Sequence, residues 1–275
     1  LQKPLIWISD PYFGAPPAGW EREGVIFDWI HLPVAEPPSR RTVVYRALLE
    51  EVCASADLVF TPSRLVLERR GARDPRFHYL PHGVDPAFFG AGPEAPAPSP
   101  LAALPRPVVG FAGTMGQSFD GELVAALARS RPDWSFVLVG EARSALLPRG
   151  PNILSAGPCP PRDLSRWLEA FSAGIIPYRV DPATETVHPV KTYEYLAAGL
   201  PVVSTPLPEI AHLAGLVAFA ANPADFARRL EEEMQGDTPA KRAARRGFAR
   251  ENTWEKRAEE IERIIAAVLT PAAKK

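Results

Sequence analysis

Short apolar runs alternate with helical patterns along this chain, and this alternation narrows the possible folds more than any other feature. In the first third of the sequence the apolar runs lie at residues 5–8, 25–30, 58–61 and 77–80. Residues 41–54, between the second and third runs, repeat apolar side chains at helical spacing. Strands that alternate with helices form parallel sheets, so residues 1–90 predict a Rossmann-like domain.

A proline-rich stretch at residues 91–107 interrupts this alternation, and its composition is typical of a semi-rigid, extended linker. Beyond it the alternation resumes, with apolar runs at 108–112, 135–139, 152–156, 174–178 and 201–204. Residues 108–250 therefore predict a second α/β domain with a doubly wound parallel sheet. Residues 251–275 predict a final amphipathic helix.

Charge and cysteine content exclude several classes of protein. Lys and Arg total 31 against 32 for Asp and Glu, which argues against a nucleic-acid-binding protein. The two cysteines have no neighbours at metal-ligand spacing, and neither a secretory segment nor an apolar run of ~18 residues occurs, so we expect a cytoplasmic protein. Two basic clusters are typical of solvated helix faces, with an anionic membrane surface as the alternative. They contain Arg64, Arg69, Arg70, Arg73 and Arg76, and Lys241, Arg242, Arg245, Arg246 and Arg250.

The stretch 186–204 predicts a short helix followed at once by a buried strand. Pro189 suits the first helical position, and Gly199 suits the left-handed residue after the last. Lys191 lies at the positive end of the helix dipole, which is unfavourable for stability but favourable for binding a phosphate. Glu194, one turn further on, can accept hydrogen bonds from a ribose diol. The alternative is a solvated Lys–Glu pair on a surface helix.

The run Pro189-Val-Lys-Thr-Tyr-Glu-Tyr-Leu-Ala-Ala-Gly-Leu-Pro-Val-Val resembles the donor-site signature of retaining GT-B glycosyltransferases of family 4, also called group 1. It is most similar to a bacterial branch that acts in cell-surface polysaccharide and teichuronic-acid-type synthesis. The resemblance implies two Rossmann-like sheets that face a cleft, with the last helix packing back toward the first domain. It also implies metal-independent transfer, with retention, from a nucleotide-diphosphate sugar to a glycan or lipid-linked acceptor, with no cofactor and with possible peripheral contact at the inner membrane face.

The chain departs from the family pattern at three places. Of the two glutamates of the family signature, the second corresponds to Glu194, whereas the first corresponds to Thr186, and Glu185 is out of register by one residue. The glycine-rich loop at 113–116 lacks the cations that usually follow it, which leaves the diphosphate to Lys191 with help from Arg179. The family's opening strands and first glycine-rich loop are absent, so we expect a truncated first domain. The expected donor-binding residues are Gly113, Thr114, Gly116, Arg179, Thr186, Lys191 and Glu194.

His31 follows the apolar run 25–30, where the resemblance implies a catalytic residue that faces the transferred sugar. The two catalytic candidates are therefore His31 and Lys191. For His31 a plain loop residue is an equally good interpretation, and Asp28, on the same strand, points to the other face.

Two rival functions stay open at this stage. One is a nucleotide-sugar epimerase of the same architecture, for which the sequence offers no convincing pair of acid and base carboxylates. The other is a catalytically degenerate or fragmentary sugar-nucleotide-binding protein, and an open reading frame upstream of Leu1 would help to decide this.

Overall fold

The computed structural model describes residues 3–30, 40–89, 101, 103–142 and 147–269. These residues form two compact units, each built on its own parallel sheet. Unit 1 contains the described residues up to His82, the segment Asp181–His188 and the residues from Glu255 onward. Unit 2 contains Gly83–Val180 and Pro189–Trp254. The predicted α/β class with two parallel sheets is confirmed, and residues 181–188, which the sequence placed in the second domain, belong to unit 1.

The sheet of unit 1 has the strand order β1-β2-β3-β4, and every pairing is parallel. Its strands are β1 (Leu5–Ile8), β2 (Gly24–Asp28), β3 (Leu58–Thr61) and β4 (Phe77–Tyr79). A 3-10 turn (Pro11–Phe13) follows β1, helix α1 (Arg40–Ser55) precedes β3, and α2 (Arg64–Val66) continues into a π-helical turn (Leu67–Gly71). Alternate residues of β2 face opposite sides, as strand geometry requires, so Phe27 joins the α1 core while Ile26 packs on the other face.

The sheet of unit 2 has the strand order β10-β9-β8-β5-β6-β7, again with parallel pairings. Its strands are β5 (Val108–Ala112), β6 (Ser135–Val139), β7 (Ile153–Gly157), β8 (Ala173–Ile176), β9 (Val202–Ser204) and β10 (Ala218–Phe219). Its helices are α3 (Gly121–Ser130), α4 (Leu164–Ala170), α5 (Lys191–Ala198), α6 (Pro223–Gln235) and α7 (Pro239–Glu251), with 3-10 turns at Pro161–Asp163 and Pro208–Leu213. From β5 the chain runs outward to β7 and then returns to place β8 on the other side of β5. The order reverses there, and open α/β sheets bind ligands beyond the carboxyl ends of strands at such a point.

The last helix, α8 (Trp254–Val268), packs from Glu255 onward within unit 1, where Ile264 contacts the face formed by Ile26, Leu58 and Phe60. The predicted linker at 91–107 lies mostly outside the described residues. Within the described ranges, no helix combines the length and hydropathy that crossing a bilayer requires.

Candidate active site

Two loops of unit 2 meet beyond the carboxyl ends of β5 and β8. The main-chain N–H of Asp120 donates to the carbonyl of Pro177 at 2.8 Å, and that of Arg179 donates to Ser118 at 2.8 Å. Phe119 and Tyr178 form an isolated antiparallel bridge between these hydrogen bonds. The glycine-rich loop after β5 is therefore fastened to the segment that follows β8.

Lys191, the first residue of α5, lies in this region and is 7% exposed. Its Nζ donates a hydrogen bond to the Tyr178 hydroxyl and lies 4.7 Å from the centroid of that ring and 5.3 Å from the centroid of Phe111. Among the described residues, no carboxylate oxygen lies within 4.0 Å of this ammonium. A buried cation with a neutral hydroxyl and two aromatic rings around it is unfavourable by itself and favours an anionic ligand.

Gly113 makes room for Lys191. A Cβ added at Gly113 would lie 2.8 Å from Lys191 Cε and 3.3 Å from its Nζ, and the φ of +148° disfavours any other residue. Gly116 has neither restriction, because a Cβ there would contact nothing within 4 Å. The structure thus brings Gly113 and Lys191 together as the sequence predicted. It also gives a steric reason for a glycine at position 113, since a side chain there would collide with Lys191.

Some main-chain N–H groups of the glycine-rich loop donate hydrogen bonds to neighbouring main-chain carbonyls, and others do not. The N–H of Gly113 donates to Val139 at 2.8 Å, and that of Met115 donates to Glu141 at 2.8 Å. The N–H groups of Thr114 and Gly116 donate to no main-chain carbonyl of a described residue. Alternate amides of one loop are therefore available to an anionic ligand, an arrangement that recurs in phosphate sites.

Glu194 lies one turn beyond Lys191 and is partly buried. Burial raises the pKa of its carboxyl group, and the charge of Lys191 opposes that rise. Its neighbour Tyr195 fixes the helix to the sheet, because the main-chain N–H of Ala112 donates to the Tyr195 hydroxyl at 2.7 Å. Gly174 of β8 lets the ring approach, since a Cβ there would lie 2.6 Å from Tyr195 Cδ2.

The carboxyl end of α5 is held by α7. Gly199 takes the predicted left-handed conformation with φ +78°, and its carbonyl accepts a hydrogen bond from Arg245 Nε at 3.0 Å. Arg245 also forms a buried ion pair with Asp237, and Arg246 donates to the carbonyl of Ala198. Cations at the negative end of a helix stabilise it. Arg245, which the sequence placed in a basic surface cluster, is instead 2% exposed.

The other predicted residues are Arg179, Thr186 and His31. The Arg179 side chain is exposed, and the main-chain N–H of Arg179 donates to Ser118 beside the glycine loop. Thr186 is 6% exposed and belongs to unit 1, where neighbouring Glu185 pairs with Arg69. His31 lies outside the described residues. Pro189 precedes the helix, which begins at Lys191 with Val190 as its N-cap.

Sequence reasoning missed Tyr178 and Arg245. Tyr178 follows β8, and nothing in the sequence indicates that its hydroxyl meets a lysine 13 residues later. Arg245 lies on α7, which the sequence analysis did not predict. Thr238 and Pro239 were a usable signal for that helix, because Thr238 caps it and Pro239 is its first residue. No group of three or more potential metal ligands occurs within the described ranges.

Comparisons with known proteins agree with this geometry. Residues 106–235 match the family described as glycosyl transferases, group 1. TuaH of Bacillus subtilis (strain 168), named as a teichuronic acid biosynthesis glycosyltransferase, is 28% identical over an alignment of 272 residues that covers 90% of this chain and 68% of TuaH.

Two solved structures share the fold. Sucrose-phosphate synthase of Thermosynechococcus elongatus has a TM-score of 0.74 at 15% identity, covering 98% of this chain and 74% of its own. Anabaena HepE in complex with UDP and glucose has a TM-score of 0.68 at 14% identity, covering 88% of this chain and 71% of its own. Together the family match, TuaH and these structures support a glycosyltransferase with the GT-B fold.

Proposed function

We propose, from the premise of a GT-B fold whose residues 106–235 match the group 1 glycosyl transferases, that this protein transfers a sugar from a nucleotide-diphosphate donor with retention of configuration and without a metal ion. The observation that carries the proposal is the buried ammonium of Lys191, which faces a glycine-containing loop and has no described carboxylate partner.

The diphosphate of the donor binds at Lys191 and at the amides of Thr114 and Gly116. When the bond to the sugar breaks, negative charge grows on the leaving diphosphate, and preformed donors in a water-poor site stabilise that charge. The positive end of α5 adds to the same effect. These groups supply the stabilisation that a metal ion would otherwise provide, and the sugar passes through an oxocarbenium-like transition state.

Glu194 binds the ribose of the donor. Its two carboxylate oxygens accept hydrogen bonds from the adjacent hydroxyl groups. Its position three residues after Lys191, about one helical turn away, supports this role. Arg179, whose main chain is fixed beside the glycine loop, supports the diphosphate from the exposed side. Thr186 and His31 stay proposals as donor-binding and catalytic residues, respectively.

The acceptor in this proposal is a glycan or a lipid-linked sugar, and the protein works in the cytoplasm, peripherally at the membrane. Two observations support this part. TuaH is named for teichuronic acid biosynthesis, and some members of the basic clusters, such as Arg73 and Arg250, are exposed.

The test is calorimetric titration of the full chain with UDP, ADP and GDP, followed by assay of sugar transfer from the matching nucleotide sugar. Lys191→Met keeps the apolar stem and removes the charge, so it should weaken nucleotide binding and kcat/KM by about tenfold to a hundredfold, as expected for a lost charge-assisted contact of roughly 1.5–3 kcal/mol. Glu194→Gln should also weaken nucleotide binding while the protein stays folded.

Lys241→Met is the matched control, because Lys241 is a half-exposed lysine of the same unit that lies 3.9 Å from Glu233. Its nucleotide affinity should equal that of the parent. Normal binding by both Lys191→Met and Glu194→Gln would mean that α5 is not the donor site. Absence of binding to all three nucleotides would refute the proposed function as a whole.

A further inference from the structure

The structure assigns Glu185 to a positioning role: paired with Arg69, it holds the segment Asp181–His188 in place ahead of the helix that carries Lys191 and Glu194. This inference rests on the proposed function, since the helix is the proposed donor site. It also accounts for the glutamate that stands one residue out of register with the family signature.

The contact between Arg69 and Glu185 joins residues 116 positions apart and uses both carboxylate oxygens. Arg69 Nη1 lies 2.6 Å from Oε1, and Nη2 lies 3.1 Å from Oε2. Two parallel hydrogen bonds fix orientation as well as distance. Arg69 also keeps the pKa of Glu185 below its usual value, so the pair stays charged at neutral pH. With both oxygens bound to Arg69, Glu185 is engaged within unit 1.

A second contact holds the far end of the segment. The rings of His82 and His188 stack with centroids 5.3 Å apart and an interplanar angle of 21°. Ahead of Glu185 the segment folds on itself, because the Asp181 carboxylate accepts from the N–H groups of Ala183 and Thr184. The segment is therefore held by contacts with other residues of unit 1 at its middle and at its end, although the stretches before and after it in sequence belong to unit 2.

The position of the segment is transmitted to Lys191 along a short and stiff piece of chain. Two residues, Pro189 and Val190, separate His188 from the helix. Pro189 fixes its own φ and also restricts the conformation of His188. Val190 is left as the main residue that can absorb a displacement. Release of Glu185 should therefore loosen the start of α5, where the ammonium and the helix dipole act.

The expected effect lies in binding and not in stability. Arg69 and Glu185 are 54% and 36% exposed, and exposed pairs contribute about 0–1 kcal/mol to folding. Arg70 and Glu50 form a second exposed, two-oxygen pair one residue further along the same turn, without contact to the segment. That pair is a matched control, because its loss removes an ion pair of the same kind from the same unit, together with the contact of Arg70 with the Trp29 ring, 5.4 Å away.

The experiment compares the full chain with Arg69→Ala, Glu185→Ala, the exchanged pair Arg69→Glu/Glu185→Arg, and the control Arg70→Ala. Calorimetry measures UDP affinity, and hydrogen exchange measures protection of residues 181–188. Each single variant should weaken UDP binding measurably but by no more than about fivefold, because the loss in affinity cannot exceed what the pair itself contributes, and should speed exchange at Thr184, Glu185 and Val187. The exchanged pair should restore both quantities, and Arg70→Ala should change neither.

Two results would overturn the inference: unchanged affinity and exchange in both single variants, or failure of the exchanged pair to restore them. If the parent itself does not bind UDP, the proposed function fails separately. In that case the exchange rates alone still decide whether Arg69 holds the segment.

Discussion

Asp28 is the last residue of β2, and burial raises the pKa of its carboxyl group to about 6, against a smaller, opposing effect of a hydrogen bond with the Trp7 side chain. The native state then binds a proton more tightly than the unfolded chain, in which the pKa is near 3.8. Between these two values the native state carries more protons, so stability falls as pH rises. Above about pH 6 the carboxylate of Asp28 is ionised in the native state, and its destabilising effect on unit 1 no longer changes with pH.

Asp28→Asn removes that ionisation, so we expect it to raise the free energy of unfolding at pH 7 by roughly 2–3 kcal/mol, and to abolish the decline between about pH 4 and pH 6. Urea unfolding followed at several pH values measures both. Glu51→Gln, which removes an exposed carboxylate on α1 of the same unit, is the control and should not reproduce the gain in stability at pH 7. A lower stability of Asp28→Asn at pH 7 would contradict the prediction.

At the residue scale, the sequence predicted that Gly113 and Lys191 belong to one site, but it did not predict the side chains that contact this site. The positions of Gly113 and Lys191 follow from strand–loop–helix patterns, and the structure places them in contact. Tyr178 and Arg69 could not be found in this way, because each contacts a residue through tertiary packing and not through local spacing. Glu185 was noticed as an irregularity, but its partner 116 residues away has no sequence signal.

At the scale of elements, α5 depends on α7 for its carboxyl end. Arg245→Ala would remove the buried partner of Asp237, which would keep its contact with Arg242, and would leave the Gly199 carbonyl without this donor; breaking a buried ion pair costs about 3–5 kcal/mol. We expect a clear fall in the free energy of unfolding, measured by denaturant titration. Arg242→Ala is the matched control, since Arg242 binds the same Asp237 but is 58% exposed and should change stability by less than about 1 kcal/mol. Equal effects of the two variants would argue against the buried pair.

Helices and strands could be predicted where their own residues show an apolar run or a helical repeat of apolar side chains. Buried parallel strands are continuous apolar runs, and β3, β5 and β6 have the predicted bounds. The largely exposed strand β1 has its predicted bounds as well. Helix α7 lacked such a pattern, because arginines and alanines dominate it and its buried residues include Arg245 itself. Strand β10, with two residues, is too short to give a signal.

At the scale of the whole molecule, the chain passes between the units four times, at His82–Gly83, Val180–Asp181, His188–Pro189 and Trp254–Glu255. A fragment from Gly83 to Trp254 would retain the segment Asp181–His188 but lose Arg69 and His82. We expect trypsin to cleave after Arg179 faster in this fragment than in the full chain, because local protection depends on tertiary contacts. Mass spectrometry of the digest identifies the site.

Cleavage after Arg129, on α3 within unit 2, is the internal control for that digest. It should proceed at the same rate in fragment and full chain if unit 2 stays folded. Equal rates at both sites would mean that unit 1 does not protect the segment.

The interleaved path of the chain also limits how halves of such proteins can be recombined. A chimera made with one junction near the proline-rich stretch would take Glu185 and His188 from one parent and Arg69 and His82 from the other. The parents need not agree at these positions. A workable exchange of unit 2 therefore needs residues 181–188 to stay with unit 1, which turns a single crossover into a graft with several junctions.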